Sequence, residues 1–177
     1  MKTIKHILFL ALIFALFSCQ NNNQLTPQPE SEEVKIVNNL MAQCRDFDSE
    51  ALSSNIVGEW DTDSILFYNK EWNDITEYYQ LLGVYNPHIF GGADVRRYTF
   101  AADGVGTYYV YNENDGSDAF SASFNWTYDT DSKTLTLSGR YNNGLYTVSG
   151  FNGEYLILDS VDAKGENMRE IFKRKVE

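Results

Sequence analysis

"FSASFNWTYDTDSKTLTLS", residues 120–138, alternates with a period of two. Phe120, Ala122, Phe124, Trp126 and Tyr128 fall on one side, and Ser121, Ser123, Asn125 and Thr127 on the other. Successive side chains of a strand point to opposite faces, so this is the pattern of a half-buried strand. The polar run "DTDS" then offers a turn. Beyond it Leu135 and Leu137 oppose Thr134, Thr136 and Ser138. The segment reads as an antiparallel hairpin with an aromatic and aliphatic face for a core and a hydroxyl face for water.

The same period recurs on both sides. Strands are predicted at Ile56–Leu66, at Val95–Ala101 and Gly106–Tyr111 around "AADGVG", at Leu145–Gly150 and Glu154–Ser160 around "FNG", and at Met168–Lys175 after "DAKGEN". These make about eight strands, joined mostly by short turns and without crossover helices. They predict an all-β, antiparallel, up-and-down barrel, which closes without free edges and encloses one small ligand or a packed interior. Of Tyr108 and Tyr109 one faces inward. The barrel domain is placed at 55–177, behind an N-terminal helical segment at 32–54. Ser31 with Glu32 and Glu33 reads as a helix start, and Val34, Val37, Leu40, Met41, Cys44 and Phe47 recur at helical spacing, predicting a helix over about 32–47. The long first connection, 67–93, carries a short helix of its own, capped by Asn73 or Asp74, with Ile75, Tyr78, Tyr79 and Leu82 on one face and Gly83 as its stop.

The chain begins "MKTIKHILFLALIFALFSCQ". Lys2 and Lys5 precede an apolar run from Ile7 to Phe17, shorter than the roughly 20 residues needed to span a bilayer, and the segment fits a secretory signal. Leu16-Phe17-Ser18-Cys19 resembles the lipobox of bacterial lipoproteins. The resemblance implies cleavage after residue 18, diacylglycerol on the Cys19 sulfur and acylation of the new amino terminus. Several acyl chains anchor a protein stably. No Asp follows Cys19, which points to the outer membrane, with either a periplasmic or a surface-facing domain. Residues 19–31, "CQNNNQLTPQPES", read as a flexible tether.

Without Lys2 and Lys5 the 14 basic residues become 12, against 25 acidic ones. That balance excludes nucleic acid, whose binding draws most of its affinity from phosphate neutralisation. It also leaves the lipid as the membrane contact. Cys44 has no partner if Cys19 is acylated, and on an apolar helical face it reads as a small buried hydrophobe. His88 is the one histidine beyond the signal, so neither a His-rich metal site nor a Ser/His or Cys/His triad is expected. "YNENDGSD", residues 111–118, has acids but not the spacing of an EF-hand loop. Asp61 with Asp63 and Asp129 with Asp131 suit turns and strand ends. No cofactor, metal or catalytic constellation is expected, and the chain is read as a non-enzyme. A carboxylate with a strongly raised pKa inside a cleft would argue otherwise.

Gly58-Glu59-Trp60 on the first strand, the long connection after it, and "REIFKRK", residues 169–175, on the last strand together resemble the lipocalin-like (calycin) barrels, and among them the small lipocalin-like lipoproteins of the Bacteroidetes type. The resemblance implies that Trp60 lies across the closed end, that Gly58 and Trp60 form a latch with a basic residue of the last strand, and that 67–93 is a lid over the open end. By alternation Phe172 and Arg174 share a face, which makes Arg174 the partner of the Trp60 ring. Tyr78, Tyr79, Tyr85 and Phe90, in the lid, are the candidate ligand-facing residues for a small apolar or aromatic molecule. The alternative is a filled barrel acting as an envelope interaction module for a protein or glycan.

Overall fold

The computed structural model describes residues 32–76, 94–112, 118–140, 142–162 and 164–176. Eight antiparallel strands form a closed barrel in chain order: β1 (Gly58–Tyr68), β2 (Asp94–Phe100), β3 (Val105–Asn112), β4 (Asp118–Asp129), β5 (Thr134–Gly139), β6 (Gly144–Phe151), β7 (Tyr155–Val161) and β8 (Asn167–Arg174). The up-and-down barrel expected from the alternation is the architecture found. β1 closes on β8 through a register running from Trp60 opposite Arg174 to Tyr68 opposite Asn167. The register slips between Thr62 and Ser64. This bulge at Asp63 restores the inward direction to Ile65 and Phe67, which face Glu170 and Met168 on β8.

Among the described residues two helices precede the barrel, α1 (Glu32–Cys44) and α2 (Ser49–Asn55). The predicted single helix over 32–47 is therefore corrected. It stops at Cys44, and Phe47 lies in the connection, with its ring 6.5 Å from that of Phe151. Asp48 restarts the helix: its carboxylate accepts the Glu50 and Ala51 N–H groups at 2.9 and 3.2 Å, satisfying donors that a helix start leaves orphaned. Asp48→Ala should cost about 1 kcal/mol in chemical denaturation with an unchanged denaturant slope. The first strand also begins two residues later than expected, because Ile56 caps α2.

α1 lies on the outside of the barrel. Val37 and Cys44 pack on Leu66, Tyr68, Ile157 and Ile171, the outward residues of β1, β7 and β8. Gly150 permits the approach: a Cβ there would sit 2.8 Å from the Cys44 Cβ. Cys44 is fully buried, and burial pushes its thiol pKa up, so it fills space in the manner of a small hydrophobe.

α2 plugs one end. Leu52 and Ile56 are fully buried in the same cluster as Trp60, Phe100, Trp126, Leu135 and Phe172. Ser49 pins the plug to the β4–β5 hairpin. Its Oγ donates to the Thr130 carbonyl at 2.7 Å. With its one proton used there, it accepts from the Tyr128 hydroxyl at 2.6 Å. At the other end, Asp74 accepts the Thr76 N–H at 2.9 Å, as a cap would, and the Thr76 hydroxyl accepts the Phe67 N–H at 2.9 Å. The remainder of the predicted lid helix lies outside the described residues.

Candidate functional site

At the plugged end the strand register sets Arg174 against Trp60, with the guanidinium carbon 4.1 Å from the ring centroid. Arg174 also donates to three carbonyls: Gly153 at 2.8 Å, Val57 at 3.1 Å, and Asn55. The Trp60 Nε1 donates to the Ile56 carbonyl at 2.7 Å. Gly58 has φ 136°, and a Cβ there would meet the Arg174 guanidinium at 2.6 Å, so glycine is needed both for its backbone and for room. Every bond in this arrangement joins α2, β1, the β6–β7 turn and β8. It is a structural clasp. A cleft of about 510 Å³ opens beside it between α2 and that turn, lined by Phe47, Val57 and Phe151 among others. Its walls are mixed, with Asp48, Ser54, Asn55 and Asn152 beside the apolar residues, and its one cation, Arg174, is already committed to three carbonyls.

The inside of the barrel changes character along its axis. Toward the plug it is aromatic and aliphatic. Phe100 meets Trp126 edge-on with centroids 5.5 Å apart, and Tyr98 meets Phe172 edge-on at 5.2 Å. One step away from the plug, polar groups face inward. Cross-strand partners share a face. Glu170 sits opposite Ile65 and Leu158, and Leu158 belongs to the interior cluster, so the Glu170 carboxyl points into the barrel. It is 7% exposed. Tyr98, 8% exposed, and Tyr108 lie with ring centroids 5.0 Å apart, which settles Tyr108 as the inward member of the Tyr108–Tyr109 pair. Tyr146 stands opposite Leu135 on the same inner surface. Arg96, two residues from Tyr98 and opposite Val110, faces inward.

The charges and hydroxyls of this belt act on one another. Burial pushes the Glu170 carboxyl up to about 7, with the Arg96 guanidinium pulling the other way. Burial, then the Glu170 charge, raises Tyr98 and Tyr146 above their ordinary value. Tyr108 is raised by burial, with the nearby Arg96 opposing and Glu170 adding to the rise. Glu170 is the buried carboxylate of this belt, with the Arg96 charge nearby. Two further inward hydroxyls, Thr62 Oγ1 opposite Phe172 and Ser160 Oγ opposite Met168, are buried without a partner. Buried polar groups are almost always satisfied by protein or water, and these two hydroxyls have no protein partner among the described residues.

Sequence reasoning missed Glu170. The signal was present: if Phe172 and Arg174 face inward, alternation puts Glu170 on the same face. Of the candidate ligand-facing residues, Tyr78, Tyr79, Tyr85 and Phe90 lie outside the described residues, as does Cys19. Asp61 is held by Arg97 in a two-pronged pair at 2.6 and 3.0 Å, and Asp129 accepts from the Ser132 N–H at 2.8 Å to close its turn. No group of three metal-ligating side chains occurs among the described residues.

No protein-family model matches the chain, and neither does any curated protein. Solved structures similar to it include a DUF4847 family protein from Bacteroides vulgatus, at 15% identity over 68% of this chain and 94% of the other, with a TM-score of 0.40. A fatty acid binding protein of Schistosoma mansoni in complex with arachidonic acid is 16% identical over 70% and 98%, TM-score 0.36. A fatty acid transporter, REP1-NXSQ, is 11% identical over 70% and 98%, TM-score 0.37. At these scores the likeness carries no inference about what this chain binds.

Proposed function

We propose that the chain is a lipid-anchored envelope protein whose barrel holds a small molecule with an apolar body and one polar group. The observation that carries this reading is the inner polar belt: a buried carboxyl and two hydroxyls without a protein partner, set beside an aromatic and aliphatic core. Ligand sites are concave and mostly apolar, with a few placed polar groups that fix orientation. Glu170 is the raised-pKa carboxylate that could argue for catalysis, but its company favours recognition. Burial raises the pKa of the tyrosines around it, so they stay protonated and are poor proton donors at pH 7, and proton exchange within the belt is not favoured. Native mass spectrometry of protein purified from its own host should release a retained small molecule on unfolding. Recovery of bare chain alone would count against the reading.

Anchoring rests on the lipobox-like Leu16–Cys19. Wild type should take up radiolabelled palmitate and sediment with membranes, and Cys19→Ser should do neither. A Cys19→Ser chain that stays membrane-bound would contradict it.

A second reading, an envelope module holding a protein or glycan, is favoured by one surface feature. Trp72 has φ 62° and is 45% exposed. Its ring lies 5.3 Å from Tyr68 and 5.0 Å from the Arg169 guanidinium, which Asp159 fixes through two bonds. A bulky residue in that backbone region is unusual. Stable recovery of one envelope partner by wild type and its loss in Trp72→Ala would favour this reading.

A further inference from the structure

The chemistry of the polar belt narrows the ligand class, provided that the barrel is a ligand carrier. Four features decide it. First, the deepest polar group is an acid. Glu170 is nine-tenths buried, so at pH 8 the inner surface holds an anion that a cationic donor would pair. Second, the strands around it add no cation beyond Arg96. β1 presents Ile65 and β7 presents Leu158, β2 presents Tyr98 and Arg96, β3 Tyr108 and β6 Tyr146. Third, Arg96 acts on Glu170 as a nearby charge and has an interaction of its own as well. Fourth, tyrosine rings gather on the inner surface that holds the acid, and aromatic faces attract ammonium groups.

We infer that the barrel selects ligands carrying a protonated amine, the ammonium set against the Glu170 carboxylate among Tyr98, Tyr108 and Tyr146, with the apolar body extending toward the open end. A carboxylate ligand placed there would meet Glu170 as a like charge. A neutral alcohol could donate one bond but would gain no charge pairing. An arriving ammonium also favours the ionised acid. Amine binding therefore weakens as pH is lowered through 7 and the carboxyl takes up its proton.

Three probes of matched shape test this on the full chain by calorimetry at pH 8: phenylbutylamine, phenylbutanol and phenylbutyrate. The amine should bind at least about tenfold tighter than the acid, a difference of about 1.4 kcal/mol. Its advantage should shrink at pH 5.5. In Glu170→Gln the amine should lose about tenfold or more, while phenylbutanol binds within about threefold of wild type, which also reports that the variant is folded. If phenylbutyrate binds wild type as well as the amine while phenylbutanol also binds, the amine inference fails and the ligand-binding reading stands. If none of the three binds, both fall. The comparison within wild type decides the matter even if the variant does not fold.

Discussion

Trp60→Ala is expected to lose about 3–5 kcal/mol of folding stability, the cost of removing a fully buried large aromatic from a core that cannot collapse around the gap. Three contributions disappear together. The ring fills the plugged end against Phe151, 6.2 Å away. It carries the Arg174 guanidinium on its face at 4.1 Å, an interaction worth ~0.5–2 kcal/mol. Its Nε1 satisfies the Ile56 carbonyl at the end of α2, and leaving such a group unmet costs ~1–3 kcal/mol. Because these overlap, their sum overstates the effect. Trp60→Phe separates them: it keeps most of the volume and loses the Nε1 bond, so it should fall between wild type and alanine. Ligand binding at temperatures below the melting transition should survive Trp60→Phe, which keeps a ring beside Tyr98, the cross-strand neighbour of Trp60. A melting temperature that holds while binding is lost would place Trp60 in the ligand site instead of the clasp.

The second large effect has an unusual sign. Glu170→Gln should make the protein more stable at pH 8. The carboxyl is raised from 4.5 to about 7 on folding, so between those values the folded state holds more protons than the unfolded one. Stability from this group is complete below about pH 4.5, is lost as pH rises through 7, and is flat above that. The full span is on the order of 3 kcal/mol, taking 1.36 kcal/mol per unit. Glutamine keeps the shape and removes the charge, so wild type and variant should agree at pH 4 and diverge as pH rises, with the variant ahead at pH 8. Guanidinium denaturation at a series of pH values reads the difference, and other carboxylates cancel because both chains carry them. A difference that stays at zero from pH 4 to 8 would mean that Glu170 is solvated and that the belt is not the low-dielectric site described. An acid kept at that energetic cost in a barrel wall is easier to understand as a recognition group than as packing.

The strands were legible because both faces of each declare themselves. Phe124, Trp126 and Tyr128 against Ser123, Asn125 and Thr127 leave no other register, since a slip of one residue would send every aromatic into water. The clasp was legible through Gly58, Trp60 and Arg174, which sit near the ends of the two strands that must meet for the barrel to close. The plug helix was not. α2 is seven residues long, too short to show a helical period, and its buried Leu52 and Ile56 read as the tail of one helix and the head of a strand. What marks it is the cap at Asp48, with Glu50 in the first turn. The polar belt was hidden for a different reason. "REIFKRK" looks like a charged edge strand, and a single Glu between Arg169 and Ile171 draws no attention until the inward face has been fixed by Phe172. Tyr98, Tyr108 and Tyr146 belong to three strands, so nothing local in the sequence joins them.

The central claim is that a ligand is held inside the open half of the barrel, around Glu170. An NMR map of the full chain titrated with phenylbutylamine tests it most directly, using side-chain signals of Ile, Met, Phe and Tyr. The account predicts shifts concentrated at Ile65, Phe67, Tyr108, Tyr146 and Met168, together with a fall in the Glu170 carboxyl pKa. Shifts confined to Phe47 and Phe151 beside the clasp, with the Glu170 titration unmoved, would contradict it.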